Sequence, residues 1–170
     1  MELWDILDAN GDKTGRLQER GMPMQAGEYH LVVHIWIMND DNAFLITKRP
    51  PGDGDIAGKW QMTGGCAVAG DDSLKTALKE TLEETGLALD PGKGRFFKRY
   101  ADKHAQDDGN YFVDVWFFRH DADISEIKLL PGETCDAMWA SKETIISMIE
   151  SGSFLPASML PYLEGLFEFV

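Results

Sequence analysis

The chain has 170 residues, 44% of them apolar, which is enough to bury a core without disulfides or a structural metal. Its formal net charge of −13, from 29 acidic against 16 basic residues, repels phosphate backbones and anionic lipid, and so argues against nucleic acid or a membrane surface as partner. No apolar run approaches the roughly 18 residues that span a bilayer, the first residues lack a basic-then-apolar leader, and the two cysteines, Cys66 and Cys135, fit the sparing thiol usage of a reducing cytoplasm.

No internal repeat, low-complexity tract or linker divides the sequence, so residues 1–170 read as one domain. Residues 3–7 form a short apolar strand before the turn Asp8-Ala9-Asn10-Gly11, and residues 14–18 a second strand. Residues 30–38 are β-branched and aromatic. The polar stretch 39–42 ends that run, and residues 43–49 follow as the other arm of a hairpin. Residues 50–58 are a loop, and residues 60–65 a short extended segment.

The periodicity then changes. Leu74, Ala77, Leu78, Thr81, Leu82 and Thr85 fall at helical spacing, with Asp72 or Ser73 as N-cap and Gly86 as the terminator. Beyond this helix, residues 95–100 and 111–119 read as strands flanking the polar loop 102–110. Residues 137–140 make a last short strand, Ser141 caps a helix running to Glu150, and residues 158–170 make a final helix. Strands mixed with a few helices imply an α/β or α+β sandwich.

The central helix carries the chemistry. Glu80, Glu83 and Glu84 stand at i, i+3 and i+4, so three carboxylates crowd one face. Like charges at this spacing destabilise a helix by a few tenths of a kcal/mol per pair. A hard divalent cation such as Mg2+ or Mn2+ would offset that repulsion with oxygen ligands, although spacing alone fits a solvated acidic face as well.

The flanks add the tight Gly64-Gly65 turn. From Gly65 through Asp71, then Lys79-Glu80-Thr81-Leu82-Glu83-Glu84-Thr85-Gly86-Leu87, the chain resembles the Nudix hydrolase signature, with Gly65, Glu80, Glu83, Glu84, Gly86 and Leu87 matched without gaps. The resemblance implies an α/β/α sandwich with a mixed sheet, and a metal-dependent hydrolase that cleaves a diphosphate bond. It also implies Glu80, Glu83 and Glu84 as metal ligands beside the Gly65 carbonyl, a small-molecule diphosphate substrate and a homodimer. Three positions depart from the pattern. Asp71 replaces the first Glu, Lys79 the Arg, and Thr81 an apolar residue. Asp71 and Lys79 keep their charges, as a supporting pair would, but lysine lacks the two-pronged geometry of arginine.

Trp4-Asp5, the Asp8 turn, Tyr29-His30, Lys48-Arg49 and Gly58-Lys59-Trp60 further resemble the Nudix subgroup related to type I isopentenyl diphosphate isomerase, over about residues 2–150. That makes an isomerase the rival reading. Such isomerases need a cysteine before the signature glycine and a metal-binding histidine after it. Here those positions are Gly64 and Cys66. A Nudix module that binds a nucleotide without turnover is a third reading, kept open by Asp71 and Lys79.

Hydrolysis needs a base for the attacking water. Glu133 is the candidate, because its spacing to Trp139 resembles the same subgroup, with Glu83 and Glu84 as alternatives. Arg49 and Lys48, at a strand end, are candidate phosphate contacts. His30 and His34 share one face of a strand and read as hydrogen-bonded packing, with a metal role for His30 as the alternative. Trp36, Trp60, Trp116 and Phe117 read as core, one of them free to stack a base. Cys66 reads as a packed thiol, and His104 sits in a polar loop whose location alone would let it reach substrate. The loops 50–58 and 102–110 are where substrate choice would lie.

Overall fold

A computed structural model describes residues 2–102 and 110–170. Strands β1 (Leu3–Leu7) and β2 (Lys13–Glu19) form a hairpin. Its turn is held by the Asp8 side chain, which accepts the amide N–H groups of Asn10 and Asp12. Strand β3 (Tyr29–Met38) turns through Asn39 into β4 (Phe44–Lys48). The Asn39 side chain accepts from the amides of Asp41 and Ala43, so both turns that the sequence marks by Asp and Asn are closed by those side chains.

The extended segment 60–65 divides in two. Strand β5 (Trp60–Gln61) pairs with β4, and β6 (Thr63–Cys66) pairs with β3, so one run of residues bridges two neighbours. The order continues with α1 (Ser73–Thr85), β7 (Arg95–Asp102), β8 (Asn110–Arg119), β9 (Asp136–Ala140), α2 (Lys142–Glu150) and α3 (Leu163–Phe169). Among the described residues the nine strands form one sheet, in which β3 runs parallel to β8 over its whole length and antiparallel to β6. The sheet is therefore mixed, as expected.

Alternation along β3 builds two cores. Val33, Ile35 and Ile37 join Ala77 of α1 with Leu87 and Leu89. Trp36 and Met38 join Phe117 with Ile145 of α2 and Leu166 of α3. Helices thus cover both faces of the sheet, giving the α/β/α sandwich. No helix among the described residues is long and apolar enough to cross a membrane.

Three sequence expectations are corrected in detail. Leu82 is 52% exposed, whereas Thr81 is fully buried. The sheet-facing stripe of α1 runs through Thr76, Ala77, Thr81 and Thr85, and each threonine hydroxyl there donates to a carbonyl one turn back. That bond satisfies the hydroxyl internally and lets a polar residue sit in an apolar contact. The final helix is shorter than 158–170, because residues Ala157–Met159 form a 3-10 turn and α3 begins only at Leu163. Pro161 explains the break, since it disfavours helical backbone at Leu160. Of the four aromatics read as core, Trp36 and Phe117 are buried, but Trp60 and Trp116 are only half-buried.

Helix α1 is pinned at both ends. The Asp72 side chain accepts the Lys75 amide at the N-cap, and Gly86 ends the helix with φ 74°. A Cβ on Gly86 would stand 2.9 Å from Lys128 Cβ. Gly86→Ala is therefore expected to cost about 1–2 kcal/mol from the left-handed backbone alone. Urea unfolding would measure it, and an unchanged midpoint would contradict a left-handed glycine stop at the helix end.

Candidate active site

With the threonines of α1 packed on the sheet, Glu80 and the buried Glu84 come to the turn at Gly64-Gly65, and Glu83 points toward solvent. Glu80 comes so close that its carboxylate fills the space a Cβ on Gly65 would need. The bare Gly65 thus leaves room for the carboxylate to close onto the turn, and a side chain there would push Glu80 aside. Glu84 is 5% exposed. The Gly64 amide donates to its carboxylate, yet Glu84 Oε2 is buried with no hydrogen-bond partner among the described residues. Glu83 is exposed.

Burial raises both inner carboxyl groups. Glu80 is pushed up to about 7, by desolvation first and then by the charge of Glu83. Glu84 is pushed up to about 8, by desolvation first and then by Glu80 and Glu133, against the Gly64 amide and Arg49. Among the described residues no three His, Cys, Asp or Glu side chains are drawn tightly enough together to hold an ion as they stand. The donor set nonetheless fits a hard divalent cation. It offers oxygen ligands, one of them orphaned in a buried place, beside a backbone turn. A cation there would remove the cost of both the orphaned oxygen and the repulsion.

These groups open on a cleft of about 750 Å3, whose lining includes Glu80, Glu83, Glu84, Glu133 and Arg49. Arg49 donates to Gln61 Oε1 at 3.2 Å. Glu133 projects from the turn after Leu130, where its amide bonds back to the Leu130 carbonyl at 3.1 Å. Lys48 does not line the cleft. Neighbouring strand residues point to opposite sides, and the Lys48 ammonium lies 5.7 Å from the centre of the Trp60 ring.

Asp71 does not pair with Lys79. Its partner is Lys75, at 2.6 Å. Asp71 precedes the N-cap, so a residue eight places further on lies about 12 Å along the axis, whereas Lys75 is one turn away. Lys79 instead lines the cleft and acts on Glu80, whose charged form it favours.

Sequence reasoning missed Glu2 and Arg20, which also line the cleft and contact each other at 3.3 Å. Both come from the N-terminal hairpin, and no local spacing marks them. His30 is 2% exposed, stacks on Trp4 with ring centroids 4.0 Å apart, and also belongs to the cleft lining. His34, on the same strand, reaches the cleft and lines it. Cys66 is half-buried in the cleft wall, and Cys135 is exposed. His104 and most of the loop 102–110 lie outside the described residues.

The NUDIX domain family matches residues 28–163. An uncharacterised Nudix hydrolase of Listeria monocytogenes is 33% identical over 167 residues, covering 98% of this chain and 95% of that protein. Among solved structures, DR0079 of Deinococcus radiodurans superposes with TM-score 0.74 at 17% identity, covering 96% of this chain and 98% of that one. The NUDIX domain of Shewanella oneidensis NrtR, solved with ADP ribose, superposes with TM-score 0.64 at 16% identity, covering 85% of this chain and 89% of that one.

The raised carboxyl groups set a direction for stability. Both native values lie above the ordinary 4.5, so the folded protein binds more protons than the unfolded chain between about pH 4.5 and 8. Their contribution is whole below that window and is lost as the pH rises through it. The metal-free protein is expected to melt at a lower temperature at about pH 8.5 than at about pH 5.5, with much of the difference gone in Glu84→Gln. Mn2+ should restore more stability at the higher pH. A melting temperature equally pH-dependent in both proteins would rule out the buried carboxyl groups as the cause.

Proposed function

The chain belongs to the Nudix family, and from that membership we propose that it is a metal-dependent hydrolase of a diphosphate linkage in a nucleoside diphosphate derivative. The observation that carries this reading is the buried, orphaned oxygen of Glu84 above the Gly64-Gly65 turn, next to a second carboxyl group held off its ordinary ionisation. Neither feature serves a solvated acidic face. Both are relieved by Mg2+ or Mn2+ on Glu80, Glu83, Glu84 and the Gly65 carbonyl, and members of this family generally work with such a cation. When bound, the ion supplies positive charge at the phosphate oxygens and a more acidic water.

The chain's own residues do the rest. Arg49, on the cleft wall near Glu84, offers a planar cation to a phosphate oxygen and keeps substrate anions from being repelled by the acidic wall. Glu133 lines the same cleft as Glu80 and Glu84, close enough for its charge to act on both, and receives the proton of the attacking water. Lys79 holds Glu80 toward its charged, ligating form. The substrate class is supported by the related NUDIX domain solved with ADP ribose.

The isomerase reading is weakened at one position. A Cβ on residue 64 would stand 2.5 Å from the Val33 carbonyl oxygen on the paired strand, so the backbone here leaves no room for the cysteine that reaction needs. Intact Glu80, Glu83 and Glu84 weigh against a module that binds without turnover.

With Mg2+ or Mn2+ and a panel of nucleoside diphosphate derivatives beginning with ADP-ribose, metal-dependent cleavage at the diphosphate is expected. Glu84→Gln should nearly abolish it, and Glu133→Gln should lower kcat about a hundredfold. Release of an isomerised diphosphate without bond cleavage, or turnover indifferent to Glu84→Gln, would overturn the proposal.

A further inference from the structure

His34 stands on the other side of the glycine pair from the carboxylates. The β3–β6 register sets it opposite Gly64, and a Cβ on Gly64 would lie 3.5 Å from His34 Cδ2, whereas Gly65 faces Glu80. Both side chains line the same cleft. Val32, Ile56, Leu155 and Met159 also line this cleft, and the Asp102 carboxylate acts on His34. The diphosphate belongs with the carboxylates and their cation, which leaves His34 and the apolar lining residues for the organic group it carries.

The position of the imidazole proton follows from the partners of Tyr162. The Tyr162 hydroxyl, on a side chain 3% exposed, lies 3.1 Å from Trp36 Nε1 and 2.8 Å from His34 Nδ1. An indole N–H can only donate, so it occupies a lone pair of the hydroxyl oxygen. The hydroxyl hydrogen is buried and needs an acceptor, and His34 Nδ1 is the one within reach among the described residues. An imidazole that accepts at Nδ1 carries its hydrogen on Nε2. Burial holds the ring down to about 4 against the nearby Asp102 carboxylate, so it stays neutral near pH 7.

The geometry points to His34 as the residue that selects the substrate's organic group, its locked Nε2–H donating to a ring nitrogen, carbonyl or hydroxyl oxygen there. This role rests on the diphosphatase reading. A donor in an apolar wall discriminates strongly, because a group without an acceptor leaves it unpaired. Alkenyl diphosphates are the groups it disfavours.

The test uses probes that are not hydrolysed between their phosphorus atoms, so that it reads binding whether or not turnover occurs. Nitrogen NMR of the free protein should find His34 in the Nε2–H form, and Tyr162→Phe should release it into a mixture of tautomers. In Mg2+, α,β-methylene-ADP should bind more tightly than methylenediphosphonate. His34→Phe should weaken the nucleotide about tenfold, as expected for one lost hydrogen bond in an apolar site, and leave the diphosphonate unchanged. His34→Gln, which restores an N–H, should recover part of the loss. If His34→Phe fails to fold, Tyr162→Phe, which keeps the side-chain volume, should still weaken the nucleotide selectively. An Nδ1–H tautomer, an imidazolium ring, equal losses for both probes, or nucleotide binding absent or no tighter than the diphosphonate would overturn the inference. The hydrolase reading fails separately, by absence of metal-dependent turnover.

Discussion

The carboxylate of Glu80 lies where a side chain on residue 65 would have to stand, so the helix carboxylate can close onto the turn only while residue 65 stays bare. Every feature of α1 serves that approach. Asp72 and Gly86 fix where the helix begins and ends, and Thr76, Thr81 and Thr85 fix which face meets the sheet. Once those are set, 3.6 residues per turn bring Glu80 and Glu84 onto the glycine pair and leave Glu83 toward solvent. The cost is electrostatic. Two carboxyl groups are brought close together with little water, and one oxygen is left without a partner. A fold that keeps such an arrangement has a use for it, and oxygen ligands in a poorly hydrated place beside a backbone turn suit a hard cation.

What the sequence made legible was local. The i, i+3, i+4 glutamates, the capping residues and the glycine turn are all set within about twenty residues, and each rests on helix geometry or glycine's missing side chain. The mixed sheet and the two covered faces followed from the same signature. What escaped depends on contacts distant in the chain. Asp71 looked like the partner of Lys79 because both keep their family charges, but helix rise gives it to Lys75. Lys48 and Arg49 looked equivalent as adjacent cations, and strand alternation separates them. Glu2 and Arg20 reach the cleft from a hairpin that no spacing rule links to α1. Thr81 and Leu82 exchanged roles because a hydroxyl bonded to its own helix packs as an apolar group would.

The cleft has two chemistries divided by the Gly64-Gly65 pair. On one side a strongly acidic wall would repel any phosphate, consistent with a chain of net charge −13. It becomes attractive only when cations reverse its sign locally, with Arg49 among the positive side chains of the lining. Beside Gly64, an imidazole held by Tyr162 joins apolar residues in the lining. One side is suited to the reacting anhydride and the other to what is attached to it.

The central claim is that Glu80 and Glu84, protonated more than ordinary carboxyl groups, give up their protons to hold a divalent cation. Calorimetric titration of Mn2+ near pH 7, in two buffers of different ionisation enthalpy, measures the protons released per ion bound. Release is expected from the wild-type protein, and it should fall together with affinity in Glu84→Gln. Binding without proton release, or with equal affinity and release in the variant, would put the cation elsewhere and contradict the claim.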